Sequence, residues 1–247
     1  STIEGFTSFL PSFTIHLWFL YYLFLISLSC FLLGILLKNQ STFKKRINQV
    51  FHKLFTPTYA KIFALAVCVF VGLLIIWELT PPTPLDWVPE IEAFLFYLFF
   101  YLFGWLLYTS KYDLQLFTKN AWLYNGIAVL LFFTEIIMQE QLSDVVMGIF
   151  NAFIIALLIF GITGIFVQYY SQASKRLRYI SDGSYWVYLI HLPFTILIPG
   201  YLAGLPLAAI FKFLITLIIT TVICFSSYHF LVRKTFIGQF LNGKKYK

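Results

Sequence analysis

Seven stretches of this chain contain no Asp, Glu, Lys or Arg: residues 5–37, 62–77, 93–110, 120–134, 145–174, 183–211 and 213–232. Nothing else in the sequence restricts the fold as much. A helix that crosses a bilayer needs about 20 mostly apolar residues, fewer where its ends are polar. Inside the hydrocarbon every peptide group must be satisfied within the chain, which a helix achieves by itself. The seven runs predict helices near 16–38, 60–79, 91–109, 121–138, 144–168, 184–203 and 207–231. Charged residues make up 11% of the chain, against about 25% in a soluble domain. A soluble fold with 21% aromatic residues and so few charges would expose apolar patches and aggregate. The expected fold class is all-α: a polytopic transmembrane helix bundle of about seven spans, forming a single domain over residues 1–247. Cys30, Cys68 and Cys224 sit inside apolar runs and are an odd number, so they read as small buried apolar residues, with neither disulfides nor a metal site.

The connections between the runs alternate in charge. Lys38, Lys44, Lys45, Arg46, Lys53 and Lys61 follow the first run, and TPPTPLDWVPE, with Asp86 and Glu90, follows the second. Lys111 and Lys119 follow the third, Glu140 and Asp144 the fourth, and Lys175, Arg176 and Arg178 the fifth. A short Gly-Leu-Pro turn joins the last two, and the tail carries Arg233, Lys234, Lys244, Lys245 and Lys247. Sixteen of the seventeen Lys and Arg then share one side, which the positive-inside rule makes cytoplasmic. Lys212, near the outer end of the last helix, is the exception and can snorkel outward. This pattern predicts the N-terminus outside and the C-terminus in the cytoplasm. The net charge of +7 is therefore a topological feature, and no nucleic-acid partner is expected. STFKKRINQVFHKLF, residues 41–55, places Phe43, Ile47, Val50, Phe51, Leu54 and Phe55 at helical spacing, with its bases mostly on the other face. It reads as an amphipathic cytoplasmic helix lying on the inner leaflet. STIEGFTSFLPSFTI, ahead of the first run, has no basic n-region and no small-residue cleavage site, so it is not a signal peptide. An outward start without such a segment predicts that the chain is the back part of a longer protein, with cleavage of a signal peptide before residue 1 as the alternative.

Two segments carry a resemblance. HLWFLYYLFLIS (16–27) and SDGSYWVYLIHLPF (181–194) resemble two landmarks of the acyltransferase 3 family of integral membrane enzymes, and are most similar to its branch that succinylates periplasmic glucans. Their order matches as well: the first opens a helix after an outer loop, and the second sits in the second-last helix. The resemblance implies a multi-pass protein of a bacterial inner membrane that takes an acyl group from a cytoplasmic donor, usually an acyl-coenzyme A. The group passes to a glycan hydroxyl on the outer side. It also implies a catalytic histidine in the family's first helix, with an arginine about ten residues ahead. None of His16, His52, His191 and His229 has an Arg ten or eleven residues upstream. No catalytic residue is therefore assigned, and the pair is expected outside this chain.

Individual residues suggest where substrates would sit. Ser181 or Asp182 can cap the start of the 184–203 helix. Ser184, Tyr188 and His191, spaced i, i+4, i+7, share one face, with His191 about 10 Å past Ser184. An ionisable group at membrane depth tends to be functional, and this face reads as a polar stripe along the acyl-donor path. The alternative is a packing histidine beside Pro193, which deprives the Leu189 carbonyl of its helical partner. Lys175, Arg176 and Arg178, just upstream, are placed to hold donor phosphates, although topology alone also accounts for them. His16 and Trp18 open the first helix at the outer surface and are candidates for contacting the acceptor sugar. Asp86, Trp87 and Glu90, with Trp77 and Glu78 nearby, suit a sugar too, but read more simply as a stiff proline turn with an interfacial anchor. Glu135 and Glu140 face outward, and Glu135 is shallow enough to reach water. Asn125, Asn151 and Gln168 are expected in interhelical hydrogen bonds, and Gly161 and Gly164 at close helix contacts. There is no Walker loop, dinucleotide fingerprint, zinc-type spacing or serine elbow, so no bound cofactor or metal is expected. The partners expected are membrane lipids, the acyl donor and the glycan acceptor. The alternatives are a glycan or lipid-linked sugar transporter, which inverted repeats would favour, and a seven-helix receptor.

Overall fold

The computed structural model describes residues 15–55, 60–76, 79–110, 113–172 and 174–243. The expectations for Trp77, Glu78, Lys111, Lys244, Lys245 and Lys247 fall outside these. The helices are α1 (Trp18–Leu36), α2 (Ser41–Phe55), α3 (Ala60–Ile75), α4 (Ile91–Thr109), α5 (Ala121–Met138), α6 (Asp144–Tyr170), α7 (Lys175–Leu202), α8 (Ala209–Ser227) and α9 (Phe236–Asn242). Short 3-10 turns at Ile15–Leu17 and Leu114–Phe117 precede α1 and α5, and a π-helical turn, Tyr228–Val232, extends α8. No strand occurs among the described residues. Six helices are long and apolar enough to cross a membrane, or up to seven if α2 and α3 count together as one bent span. The all-α, polytopic reading of the charge-free runs thus holds. The chain forms two compact units, one within 1–171 and one within 172–247.

In the first unit α6 packs against both α5 and α3. It can do so because Gly148, Ala152, Ala156, Phe160 and Gly164 are buried at four-residue spacing, four of the five being small. Small residues along one ridge let helix backbones approach where lipid gives no hydrophobic drive to associate. A Cβ at Gly161 would lie 2.5 Å from Asn125 Nδ2, and one at Gly164 would lie 2.2 Å from the Phe117 carbonyl oxygen. Both glycines therefore mark close contacts, as expected. Asn151 Nδ2 donates to Glu135 Oε1 (3.1 Å) and to the Leu79 carbonyl (3.2 Å), tying α6 to α5 and to the segment after α3. Asn125 instead donates to Ala121 O of its own helix (2.9 Å), against the interhelical expectation, because its amide is pressed on Gly161.

On α3, Ile62, Leu65, Ala66, Val69 and Leu73 form one buried stripe. Cys68 projects well off that stripe and is exposed, which corrects the expectation of burial; Cys30 and Cys224 are buried. Helices α1 and α4 run in the same direction, with Tyr22 against Glu90 near their starts and Gly34 facing Trp105 near their ends. The amphipathic helix α2 closes over the far end. Phe51 and Phe55 pack on Phe103 of α4 (5.7 and 5.2 Å between ring centroids), and His52 Nε2 donates to Ser110 O at 2.9 Å. Phe43, Val50 and Leu54 remain exposed on α2.

In the second unit α7 pairs with α8. Gly183 is buried against the Phe225 and Tyr228 rings, and Trp186 Nε1 donates to Ser227 Oγ (3.0 Å). Lys212 Nζ donates to the carbonyl of Ala203, the C-cap of α7, at 2.9 Å, so its ammonium closes that helix end. The expected helix start at 184, capped by Ser181 or Asp182, is corrected. The helix begins at Lys175 after Ser174, which leaves Ser181 and Asp182 inside it. Arg178 and Asp182 form an i,i+4 ion pair (3.9 Å) across the predicted break. A Cβ at Gly183 would stand 2.8 Å from the Phe225 ring, so that glycine permits a close approach and does not end the helix.

Candidate functional site

Tyr179, Gly183 and Trp186 define the side of α7 that meets α8 and the π turn. At about 100° per residue, the line through Ser184, Tyr188 and His191 is turned about 140° from that side. The predicted stripe therefore exists as one face of a continuous helix, directed away from α8. Ser184 is exposed, and Tyr188 and His191 are half-buried. Ser184 Oγ donates to Ser181 O at 2.7 Å. The His191 ring lies 6.0 Å from the Tyr188 ring, and its Nδ1 reaches the carbonyls of Tyr188 (2.8 Å) and Val187 (3.2 Å). A carbonyl oxygen only accepts, so Nδ1 carries the hydrogen, and in the neutral ring Nε2 holds the lone pair. These bonds hold the imidazole against its own helix. They do not serve the Leu189 carbonyl that Pro193 deprives of a partner. A ring held this way can accept a hydrogen bond at Nε2 from a hydroxyl or an amide N–H.

The three upstream bases occupy the first turn of the same helix. They do not form one patch. Arg178 is drawn to Asp182, and at about 100° per residue Lys175 points opposite the stripe. Arg176 stands about 80° from it. Of the three, Arg176 is thus the base nearest to the stripe by direction.

His16 and Trp18 lie in the first unit. His16 is half-buried in the 3-10 turn before α1. Trp18 packs on Tyr97 (5.4 Å) and edge-on to Tyr22 (6.2 Å). The tyrosines beside it hold the 80–90 loop. Tyr21 OH donates to Trp87 O (3.1 Å), the Glu90 amide donates to Tyr22 OH (2.8 Å), and Tyr97 OH donates to Pro82 O (2.5 Å). The HLWFLYY segment is therefore an aromatic clamp on the proline loop. This explains its composition without a ligand, and Trp18 packs on two of the tyrosines that hold the loop. The stiff-turn reading of TPPTPLDWVPE agrees with this.

Sequence reading missed Lys61. It counted this lysine with the bases of a connecting segment, yet Lys61 is 1% exposed. Its ammonium donates to Leu116 O (2.7 Å) and lies over the Phe117 and Phe160 rings (5.2 and 5.3 Å). The available sign was spacing, since Lys61 stands one helical turn before Leu65 on the buried stripe of α3.

A family model described as an acyltransferase domain matches residues 2–229, a range that includes both 16–27 and 181–194. Neither a curated protein nor a solved structure matches the chain. With 228 of 247 residues inside the matched range, and with six helices, or up to seven spans, long and apolar enough to cross a membrane among the described residues, the chain belongs to the acyltransferase 3 family of membrane acyltransferases.

Proposed function

We propose that this protein takes part in moving an acyl group, succinyl being the one its sequence resembles most, from a cytoplasmic acyl-coenzyme A-type donor to a hydroxyl of a periplasmic or cell-surface glycan in a bacterial inner membrane. Family membership over residues 2–229 is the observation that carries the reading. In it, α7 flanks the donor path, with Arg176 toward the phosphates and the Ser184–Tyr188–His191 face along the acyl and thioester portion. His191 Nε2 serves there as a hydrogen-bond acceptor for an N–H or O–H of the substrate beside the thioester, which its Nδ1 bonds to Tyr188 and Val187 support. His16 and Trp18 face the acceptor side. The sugar hydroxyl attacks the thioester carbonyl, a general base takes its proton, and the coenzyme A thiolate leaves. None of the four histidines of this chain is assigned as that base.

The test compares the acyl content of surface glycans from cells carrying the full-length protein, a deletion, and variants at His191. The deletion should remove the modification. His191→Ala should lower transfer at least tenfold, about 1.4 kcal/mol in the barrier, with expression and thermal stability near normal. His191→Gln should retain more activity, because Gln keeps a donor and an acceptor. Unchanged glycans in the deletion would sink the reading. A poorly folded His191→Ala with normal turnover per folded molecule would make the histidine a packing device.

A further inference from the structure

The α1–α2–α4 corner carries two grooves that the proposed acyl transfer does not use. The larger, about 770 Å³, runs between α1 and α4 from Ser27 to Lys38. The second, about 430 Å³, lies between these helices and α2, beside Lys44. Both volumes fall within the range of small-molecule sites, about 300–1,000 Å³. Trp105 lines both and forms the partition between them. The walls are predominantly apolar, and the larger groove is wide because Gly104 contributes no side chain: a Cβ there would meet nothing within 4 Å. Eleven residues separate Ser27 from Lys38, about 16 Å along a helix. That is close to the depth of one leaflet, half of a hydrocarbon core about 30 Å thick.

The same end of both grooves is basic. Lys38 follows α1 and is exposed, and Lys44 Nζ donates to Lys38 O at 3.3 Å, which brings a second ammonium to that end. That bond uses one of the three donors of the Lys44 ammonium. One leaflet-deep apolar channel and a shorter one beside it, about 10 Å along α4 from Leu102 to Thr109, are divided by one indole and meet at two cations, which matches a molecule with two hydrocarbon chains and one anionic head.

We propose that the α1–α2–α4 corner binds one anionic phospholipid, with an acyl chain in each groove on either side of Trp105 and its phosphate between Lys38 and Lys44. The phosphate accepts charge-assisted hydrogen bonds from the ammoniums. The site discriminates by head-group charge, and it is independent of the acyl-transfer reading.

The test is native mass spectrometry of the purified full chain. It is titrated with phosphatidylglycerol or phosphatidylcholine of identical chains, with thermal stability measured in parallel. One phosphatidylglycerol should be retained per chain, at least tenfold more tightly than phosphatidylcholine. Gly104→Leu adds a side chain to the larger groove from a Cβ position with nothing within 4 Å, and favours the helix. It should weaken phosphatidylglycerol at least tenfold with an unchanged or higher Tm. Lys38→Gln combined with Lys44→Gln should abolish the preference between the two lipids while leaving phosphatidylcholine binding as it was. Equal affinity for both lipids in the unaltered protein overturns the proposal. So does a Gly104→Leu protein that binds like the parent, or complete displacement of phosphatidylglycerol by millimolar inorganic phosphate, which would mark an anion site without chains. A change of oligomeric state on Gly104→Leu would mean that a second copy of the chain occupies the groove, and it also overturns the proposal.

Discussion

Replacing Lys61 tests the interior of the first unit most directly. Its ammonium is almost fully withdrawn from solvent, and its surroundings are the Leu116 carbonyl and the faces of Phe117 and Phe160. Holding a cation there carries a desolvation cost of several kcal/mol. A hydrogen bond to a charged donor returns about 1.5–3 kcal/mol, and each desolvated ring face up to about 2 kcal/mol. Lys61→Met removes the charge, so the desolvation cost and the attraction of the two ring faces are lost together and largely offset, and it nearly conserves volume. What remains is the Leu116 carbonyl deprived of its donor, worth about 1–3 kcal/mol. Lys61→Ala adds a cavity and should cost about 3–5 kcal/mol. For a chain of this size about 1 kcal/mol corresponds to roughly 2–4 °C. Thermal unfolding in one detergent should therefore rank the parent above Lys61→Met and Lys61→Ala lowest. Hydrogen exchange should also show the amides of Leu114–Phe117 losing protection in Lys61→Met, while those in the middle of α5 stay protected. A Lys61→Met protein as stable as the parent, with unchanged exchange at 114–117, would refute the idea that this lysine holds the turn.

Two further outcomes are expected. A Cβ at Gly164 meets backbone, 2.2 Å from the Phe117 carbonyl oxygen, whereas one at Gly161 meets the end of the Asn125 side chain at 2.5 Å. Gly164→Ala should therefore cost about 3 kcal/mol, and Gly161→Ala about 1 kcal/mol through loss of the Asn125–Ala121 hydrogen bond; the reverse order of Tm would contradict the packing described. A cysteine at Asp86 should react with impermeant reagents from outside the cell while one at Gln172 is protected, and the opposite pattern would invert the membrane orientation read from the bases.

The helical bundle was legible because hydrocarbon is an exacting solvent. A run without charge long enough to span it has few other fates, and each of the seven runs contains helix in the structure. The small residues of α6 were legible for a related reason, since glycine in an apolar helix signals contact more often than flexibility. Lys61 and the aromatic clamp were not. A lysine beside a basic connecting segment has the same composition whether it points to lipid head groups or into the bundle, and its direction depends on the Leu114–Phe117 turn, 53 residues and more away in sequence. The three tyrosines of the clamp likewise read as an interfacial belt until the 80–90 loop is folded against them.

The misplaced start of α7 shows what a charge-free run measures. Counting from 183 locates the part that tolerates hydrocarbon; it does not locate the helix. The helix has 28 residues, about 42 Å at 1.5 Å each, against a core about 30 Å thick. Set along the membrane normal, roughly two turns of such a helix lie beyond the hydrocarbon at one or both ends. Charges there cost nothing, and the Arg178–Asp182 pair supports helix across the serine, aspartate and glycine that read as a boundary. The consequence reaches the candidate site. Arg176 and His191 are fifteen residues apart on one rigid element, about 22 Å along its axis, with no loop between them. A ligand that engages both must itself span that distance, an extended molecule anionic at one end and reactive at the other. In the proposed reading, an acyl-coenzyme A-type donor, with phosphates at one end and a thioester at the other, is a ligand of that form.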